Sequence, residues 1–258
     1  AFGGRAKVYI SGGEPLGKET SEWFLDVGIR VFEGYGLTET SPVMSRNTFE
    51  GYRMGTVGTV LPNVEVRIAG DGEIETRGDS VFSGYWQNEE ATKKEFTEDG
   101  WFKTGDVGKL EDGFLSITDR KKELLKTSGG KYIAPQPMES KLKVDALVGQ
   151  VAVIGDNRKF VSVLISPNFP ALESWAGKNG VSAGDHAKLV SDPKVQKAYE
   201  AIVEKVNGSL AHFETIKKVK VVGEEWTVES GELTPSMKLK RRVISEKYKD
   251  SIDKMYAE

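Results

Sequence analysis

Short apolar runs broken by glycine turns open the chain. Lys7–Ile10 reads as a strand running into Gly12-Gly13, followed by a helical pattern from about Gly17 to Val27 with Trp23, Phe24 and Val27 on one side. A second strand, Ile29–Glu33, enters a glycine-bounded loop at Gly34 and Gly36. Strand–helix–strand order of this kind suits an α/β sheet, whose ligands gather at loops after strand ends. From Gly55 to about Thr118 the period falls to two. Val64, Val66 and Ile68 alternate with polar residues, and Gly70-Asp71-Gly72 offers a tight turn into Glu73–Thr76. Similar runs recur up to Phe114–Thr118, predicting a small sheet or partly open barrel with a helix only at Glu89–Phe96.

After Arg120 the pattern changes again. Pro135 and Pro137 predict a helix start, where a missing N–H costs least, and the helix runs to about Val144. Val151–Ile154 and Val161–Ile165 flank Gly155-Asp156-Asn157-Arg158 as a hairpin. Helices are predicted near Phe169–Lys178 and from Asp192 to about Asn207. In the second, Val195, Tyr199, Ile202, Val206 and Leu210 recur at helical spacing as a core face. A last helix is predicted from about Leu239 to Tyr256. The boundary falls at Asp119–Lys122, giving an α/β unit over 1–42, a β-rich part over 43–119 and a small α+β domain over 120–258.

Composition narrows the chemistry. With 38% hydrophobic and 29% charged residues the chain has an ordinary soluble globular make-up, and a net charge of −3 offers no field for nucleic acid or an acidic membrane. The absence of cysteine excludes disulfides, thiolate metal sites and a cysteine nucleophile. His186 and His212 lack metal-ligand spacing and are expected at the surface. No apolar run approaches the ~20 residues of a spanning helix, and Ala1–Ile10 has no secretory-signal order, so a cytoplasmic location is expected.

Candidate chemistry concentrates at Gly34–Thr40. Gly-Tyr-Gly leaves an aromatic face where backbone can approach closely, and Thr38 and Glu39 add hard oxygens suited to phosphate and Mg²⁺. Taken alone, the glycines could be only a turn and Tyr35 only a core aromatic. The company changes this. YGLTET at 35–40 resembles the core signature of the adenylate-forming superfamily of acyl-CoA synthetases, luciferases and peptide-synthetase adenylation domains. SGGEPL at 11–16, GWFKTGD at 100–106, DRKKELLKTSGGKYIAP at 119–135 and LTPSMKLKRR at 233–242 follow in the family's order. The resemblance covers essentially the whole chain.

The resemblance implies ATP/AMP, Mg²⁺ and CoA as cofactors and cosubstrates, with a fatty acid as the carboxylate. Gly12, Gly13 and Glu14 would form the turn beside adenine. Gly34, Tyr35, Gly36 and Leu37 would flank the nucleotide, with Tyr35 stacked on adenine. Asp106 would accept from the ribose hydroxyls, and Arg120 would donate to ribose or phosphate. Thr38 would touch phosphate and Glu39 would hold Mg²⁺. Lys238 would bridge the attacking carboxylate and the α-phosphate. Here the chain departs from the commonest family pattern, since Met237 stands where a glycine usually precedes the lysine, and Lys240 is a live alternative. The competing assignments are a turn for Asp106, a surface ion pair for Arg120, and a solvated helix face for Lys238, Lys240, Arg241 and Arg242. Lys122 would be the hinge about which the C-terminal domain turns, while Lys126, Gly129 and Gly130 would serve thioester formation.

Among branches, the long-chain fatty acyl-CoA synthetases fit best. The family's Ser/Thr/Gly-rich phosphate loop has no match here, so the chain is expected to be the carboxy-terminal part of a longer protein and inactive alone. Its Lys7–Ile10 edge is expected to favour self-association, and the parent protein is left a peripheral membrane contact. Two alternatives stand beside this: an amino-acid adenylation domain loading a carrier protein, and an AMP-binding module without turnover.

Overall fold

The computed structural model describes residues 4–13 and 15–257; Glu14 of the predicted adenine turn lies outside them. The chain divides into two compact units, Ala1–Glu123 and Leu124–Glu258.

The first unit is built on one eight-stranded sheet. Its strands are β1 (Tyr9–Ser11), β2 (Val31–Gly36), β3 (Val43–Arg46), β4 (Thr59–Val60), β5 (Val64–Ile68), β6 (Glu73–Gly78), β7 (Phe102–Glu111) and β8 (Phe114–Arg120). They lie in the order β1-β2-β3-β4-β8-β7-β6-β5. Among the described residues of this unit only β1 and β2 run parallel, joined by α1 (Lys18–Asp26); every other pairing is antiparallel. The α/β and β-rich segments therefore share a continuous sheet. α2 (Glu89–Glu95) is capped by Asn88, whose side chain accepts the Ala91 N–H at 3.1 Å.

Two local expectations change. Gly34 and Gly36 lie inside β2, not in a loop after it. Strand β3 folds back so closely that a Cβ at Gly36 would sit 1.6 Å from the Pro42 carbonyl oxygen, and the register shifts between Tyr35 and Gly36. Gly36 thus admits a neighbouring backbone instead of a turn, whereas a Cβ at Gly34 would meet ordinary contacts from 3.5 Å. The predicted apolar face of α1 is also largely uncovered: Trp23 and Val27 are 60% and 53% exposed, and Ile10 on β1 is 78% exposed.

The second unit has three layers. A sheet of β11 (Val148–Ile154), β12 (Val161–Pro167) and β13 (Ile216–Val221), in that order, lies between two sets of helices. Every residue of β12 is buried, as expected of a central strand covered on both faces. Val161, Val163 and Ile165 pack with residues of α3 (Pro135–Leu142), α4 (Phe169–Lys178), α5 (His186–Ser191) and α6 (Pro193–Asn207). Leu164, pointing the other way, packs with Trp226, Leu233, Ile244, Ile252 and Met255. A short hairpin of β9 (Leu125–Lys126) and β10 (Tyr132–Ile133) precedes them. Neither β13 nor α5 was marked by the periodicity.

The single C-terminal helix predicted over Leu239–Tyr256 is instead two, α7 (Arg241–Lys247) and α8 (Lys249–Tyr256). Leu239 is held out of the helix by an antiparallel bridge to Leu233, and the Lys240 N–H is taken by the Glu232 carbonyl at 2.7 Å. At the break, Tyr248 is fixed by its hydroxyl, which accepts from Trp226 Nε1 at 3.0 Å and donates to Glu224 at 2.9 Å.

Candidate nucleotide-binding site

Strand pairing brings Asp106 and Arg120 together, and a side-chain hydrogen bond joins Tyr35 to them. Asp106 and Arg120 are direct partners across β7 and β8, which places both side chains at one position along the sheet. The Tyr35 hydroxyl donates to Asp106 Oδ2 at 2.5 Å, and Arg120 Nε stands 3.6 Å from Oδ1. Asp106 is buried, with 5% of its surface exposed. Burial pushes its carboxyl above the usual range, and the Tyr35 hydrogen bond and the Arg120 charge only partly oppose this. Burial, followed by the Asp106 charge, also drives the Tyr35 phenol well above its ordinary value, so Tyr35 is a permanent donor at neutral pH. Thr104 steadies the carboxylate's own peptide: its hydroxyl donates to the Ile74 carbonyl at 2.8 Å and accepts the Asp106 N–H at 3.1 Å.

The glycine turn lies near the same strand. Gly12 follows β1 beside Gly34, whose carbonyl oxygen would be 3.5 Å from a Cβ at Gly12, and Gly13 takes φ +90. At the other end of β2, Leu37 leads into a single 3₁₀ turn, Thr38–Thr40. Buried Thr40 ties this turn down: its hydroxyl accepts the Leu37 N–H at 2.9 Å and contacts the carbonyls of Leu37 at 3.0 Å and Pro42 at 2.5 Å. Thr38 is exposed at the start of the turn. Glu39 is braced by Tyr85, which donates to Oε1 at 2.9 Å, and by Phe82, whose N–H reaches the Glu39 carbonyl at 2.8 Å. Burial and this hydrogen bond push the Tyr85 phenol up to about 12. Among the described residues no cluster of three metal-ligating side chains forms. Glu39 therefore fits a hard cation only as one oxygen donor, the rest coming from phosphate and water, which is how Mg²⁺ is commonly held.

The remaining candidates fall into two loops and a short turn. Lys122 lies exposed in a 3₁₀ turn, Lys121–Glu123, at the end of the first unit. Within the second unit Gly129 and Gly130 occupy the turn between β9 and β10, closed by hydrogen bonds between Thr127 and Lys131; Gly130 takes φ +78. Lys126, on β9, lies over the Tyr132 ring at 5.6 Å. Lys238 sits in the hairpin closed by the Leu233–Leu239 bridge, its N–H bonded to Thr234 Oγ1 at 3.0 Å and its carbonyl to the Thr234 N–H at 2.8 Å. Lys240 follows as the residue before α7. The solvated helix face is thereby corrected: Lys238 and Lys240 precede the helix, and Arg241 is paired with buried Glu139 through two contacts of 2.7 and 2.8 Å.

Sequence reasoning passed over Thr40, Tyr85 and Thr104. Thr40 and Thr104 belong to motifs quoted for other residues, so their hydroxyls could have been marked as turn braces. Tyr85 meets Glu39 from 46 residues away, and no local pattern announces that.

Comparison with known proteins identifies the family. The AMP-binding enzyme family matches residues 1–86, and the AMP-binding enzyme C-terminal domain family matches residues 122–258. The chain is 43% identical to a long-chain-fatty-acid–CoA ligase of Mycobacterium bovis, over 99% of this chain and 43% of that protein. It thus spans less than half the length of that relative. Among solved structures, ATP-bound MatB from Rhodopseudomonas palustris is similar with a TM-score of 0.68 at 31% identity, over 94% of this chain and 46% of that one. The AMP-complexed A domain of a carboxylic acid reductase from Segniliparus rugosus shares the fold, with a TM-score of 0.78 at 22% identity, over 98% and 40% of the two chains. The chain belongs to the AMP-binding, adenylate-forming enzyme family.

Proposed function

We propose that this chain supplies the nucleotide clamp and the tail domain of a long-chain fatty acid–CoA ligase. Such an enzyme joins a carboxylate to AMP with loss of pyrophosphate, then passes the acyl group to the thiol of CoA. The observation that carries this reading is the convergence of Tyr35, Asp106 and Arg120 from three separated stretches of sequence. A buried carboxylate already held by one hydroxyl is suited to take further hydroxyl donors, as a ribose diol would provide. Tyr35 and Arg120 orient that carboxylate, and Arg120, 49% exposed at its side chain, keeps donors for phosphate or ribose.

The remaining roles follow the same proposal. Thr38 and Glu39 face the phosphates; a Mg²⁺ held at Glu39 would neutralise phosphate charge. Lys238 meets the carboxylate and α-phosphate in the first step, stabilising charge that peaks as pyrophosphate leaves. Met237 favours Lys238 over Lys240 in this role. It takes φ 64, the left-handed backbone that glycine adopts most readily, so the residue before Lys238 has a conformation that suits a glycine although the residue differs. Lys122 is the pivot between steps, and Lys126, Gly129 and Gly130 serve the thiol. No helix among the described residues is long and apolar enough to cross a membrane.

The test is ATP–pyrophosphate exchange by a full-length ligase carrying this chain, across carboxylates of increasing length. Lys238→Ala is expected to slow exchange about 100-fold or more, while thioester formation from supplied acyl-adenylate changes far less. Transfer to a pantetheinyl carrier protein but not to free CoA would replace the ligase with a carrier-loading domain. Exchange unaffected by Lys238→Ala would move the catalytic role to another residue.

A further inference from the structure

Arg120, the last residue of β8, and Lys121, the first of the turn that follows, meet different carboxylates. Arg120 faces Asp106, as described. Lys121 Nζ stands 2.6 Å from Asp71 Oδ2 and 2.6 Å from Glu73 Oε2. Glu73 is buried, and its other oxygen accepts the N–H of Gly105 at 2.9 Å. Gly105 has φ +74, a conformation costly for any other residue, and leads directly into Asp106. Asp71 closes the group from outside, since its Oδ1 accepts the Glu73 N–H at 3.2 Å.

The peptide that aims Asp106 is therefore suspended between two supports. Thr104 takes the Asp106 N–H on one side, and Glu73 takes the Gly105 N–H on the other. A buried carboxylate costs least when a cation sits in contact with it. Lys121 is the cation in contact with it. Without that ammonium the buried side chain loses its charge partner and is free to turn toward water, which weakens its hold on Gly105.

We propose that Lys121 and Glu73 are positioning residues for the nucleotide clamp, setting the direction of the Asp106 carboxylate through the Gly105 peptide. The proposal rests on the reading of Asp106 as a nucleotide contact. It also gives neighbouring residues distinct duties: Arg120 touches the carboxylate, and Lys121 fixes the backbone beneath it. Asp71 is a lesser partner, its side chain 55% exposed.

Amide exchange followed by NMR tests this in the whole chain. Leu115 serves as the internal reference, its N–H bonded to the Gly58 carbonyl at 2.9 Å in the same sheet. Lys121→Met is expected to speed exchange at Gly105 about tenfold or more, leaving Leu115 unchanged, and Lys121→Arg to restore the native rate. AMP affinity, measured by calorimetry on the same proteins, is expected to fall about tenfold in Lys121→Met and to recover in Lys121→Arg. Gly105 exchange that is unchanged, or that rises only in step with Leu115, overturns the proposal. So does native AMP affinity in Lys121→Met. Failure of the unaltered chain to bind AMP, with Gly105 still responding, would remove the nucleotide reading and leave the Lys121–Glu73–Gly105 linkage standing.

Discussion

Met237 holds a left-handed backbone without being glycine, and its side chain is 57% exposed, so packing returns little for the strain. That conformation costs a residue with a Cβ about 1–2 kcal/mol. Part of the gain from removing it is lost to the greater freedom of glycine in the unfolded chain. Met237→Gly is therefore expected to stabilise the second unit by about 0.5–1 kcal/mol, read as a raised denaturation midpoint. Asp106 poses the opposite case. Its carboxyl is pushed up by burial, so the fold favours the protonated form and the ionised form at neutral pH costs stability. The Arg120 partner at 3.6 Å is half exposed and offsets little of that cost. Asp106→Asn should melt no lower than the native chain at pH 7 while losing AMP binding. A clear drop in melting temperature would mean that the charge supports the fold. The apparent Tm gain should shrink as the pH falls through the raised carboxyl value, because the native side chain then becomes neutral as well.

Around the Lys238 hairpin, the supporting elements are tied by charge. Lys247 on α7 bridges Glu224 and Glu232, each at 2.6 Å, and the Glu232 side chain is fully buried at the base of the hairpin. Burial raises the Glu232 carboxyl, but its bonds from Lys247 and Ser230 outweigh that, so it ends below the ordinary value near 4.5; Lys247 likewise lowers Glu224. Groups lowered in the fold add stability above their unfolded value and lose it as pH falls through the folded one. The second unit should accordingly weaken on acidification below about pH 4.5. Lys247→Met should cost about 2–3 kcal/mol at pH 7, somewhat less than a fully buried pair because the ammonium is 37% exposed, and should flatten that acid limb. Urea titrations at several pH values give both numbers. Nothing local in the sequence announces this bridge, for Lys247 and Glu232 are 15 residues apart across a turn and a helix start. What was legible has a short range: α4, α6 and the β11–β12 hairpin carry their periods and their Asn168, Asp192 and Asn157 turn residues within a few positions. The motifs likewise marked Tyr35, Asp106 and Arg120, yet Asp106 meets Arg120 through strand pairing and Tyr35 through a hydrogen bond spanning 71 residues of sequence, which no local pattern encodes. The split of the last helix escaped because its cause, Trp226 and Glu224 holding Tyr248, lies outside the helix.

At the scale of the molecule, the two units differ sharply in what they bury. The second has apolar layers on both faces of its sheet. In the first, the buried apolar side chains among the described residues are Phe32, Met44, Val64, Ile74, Trp101, Phe102 and Leu115, while Ile10, Trp23, Leu25 and Val27 stay exposed around β1 and α1. Since burial of apolar area dominates stability, the first unit should be the weaker. Heating is then expected to give two calorimetric transitions. Gly36→Ala, which forces a Cβ against the Pro42 carbonyl, should lower only the first, by an amount equivalent to about 3 kcal/mol. Leu164→Ala, in the centre of the second unit's sheet, should lower only the upper one, by about 2–5 kcal/mol. A single transition moved by both substitutions would mean that the units fold as one cooperative body. Trp23 and Val27 are exposed near β1, an outer strand of the sheet among the described residues, and such surface favours association, so the lower transition is expected to depend on concentration. Trp23→Glu with Val27→Lys should therefore reduce self-association in light scattering while leaving the upper transition where it was.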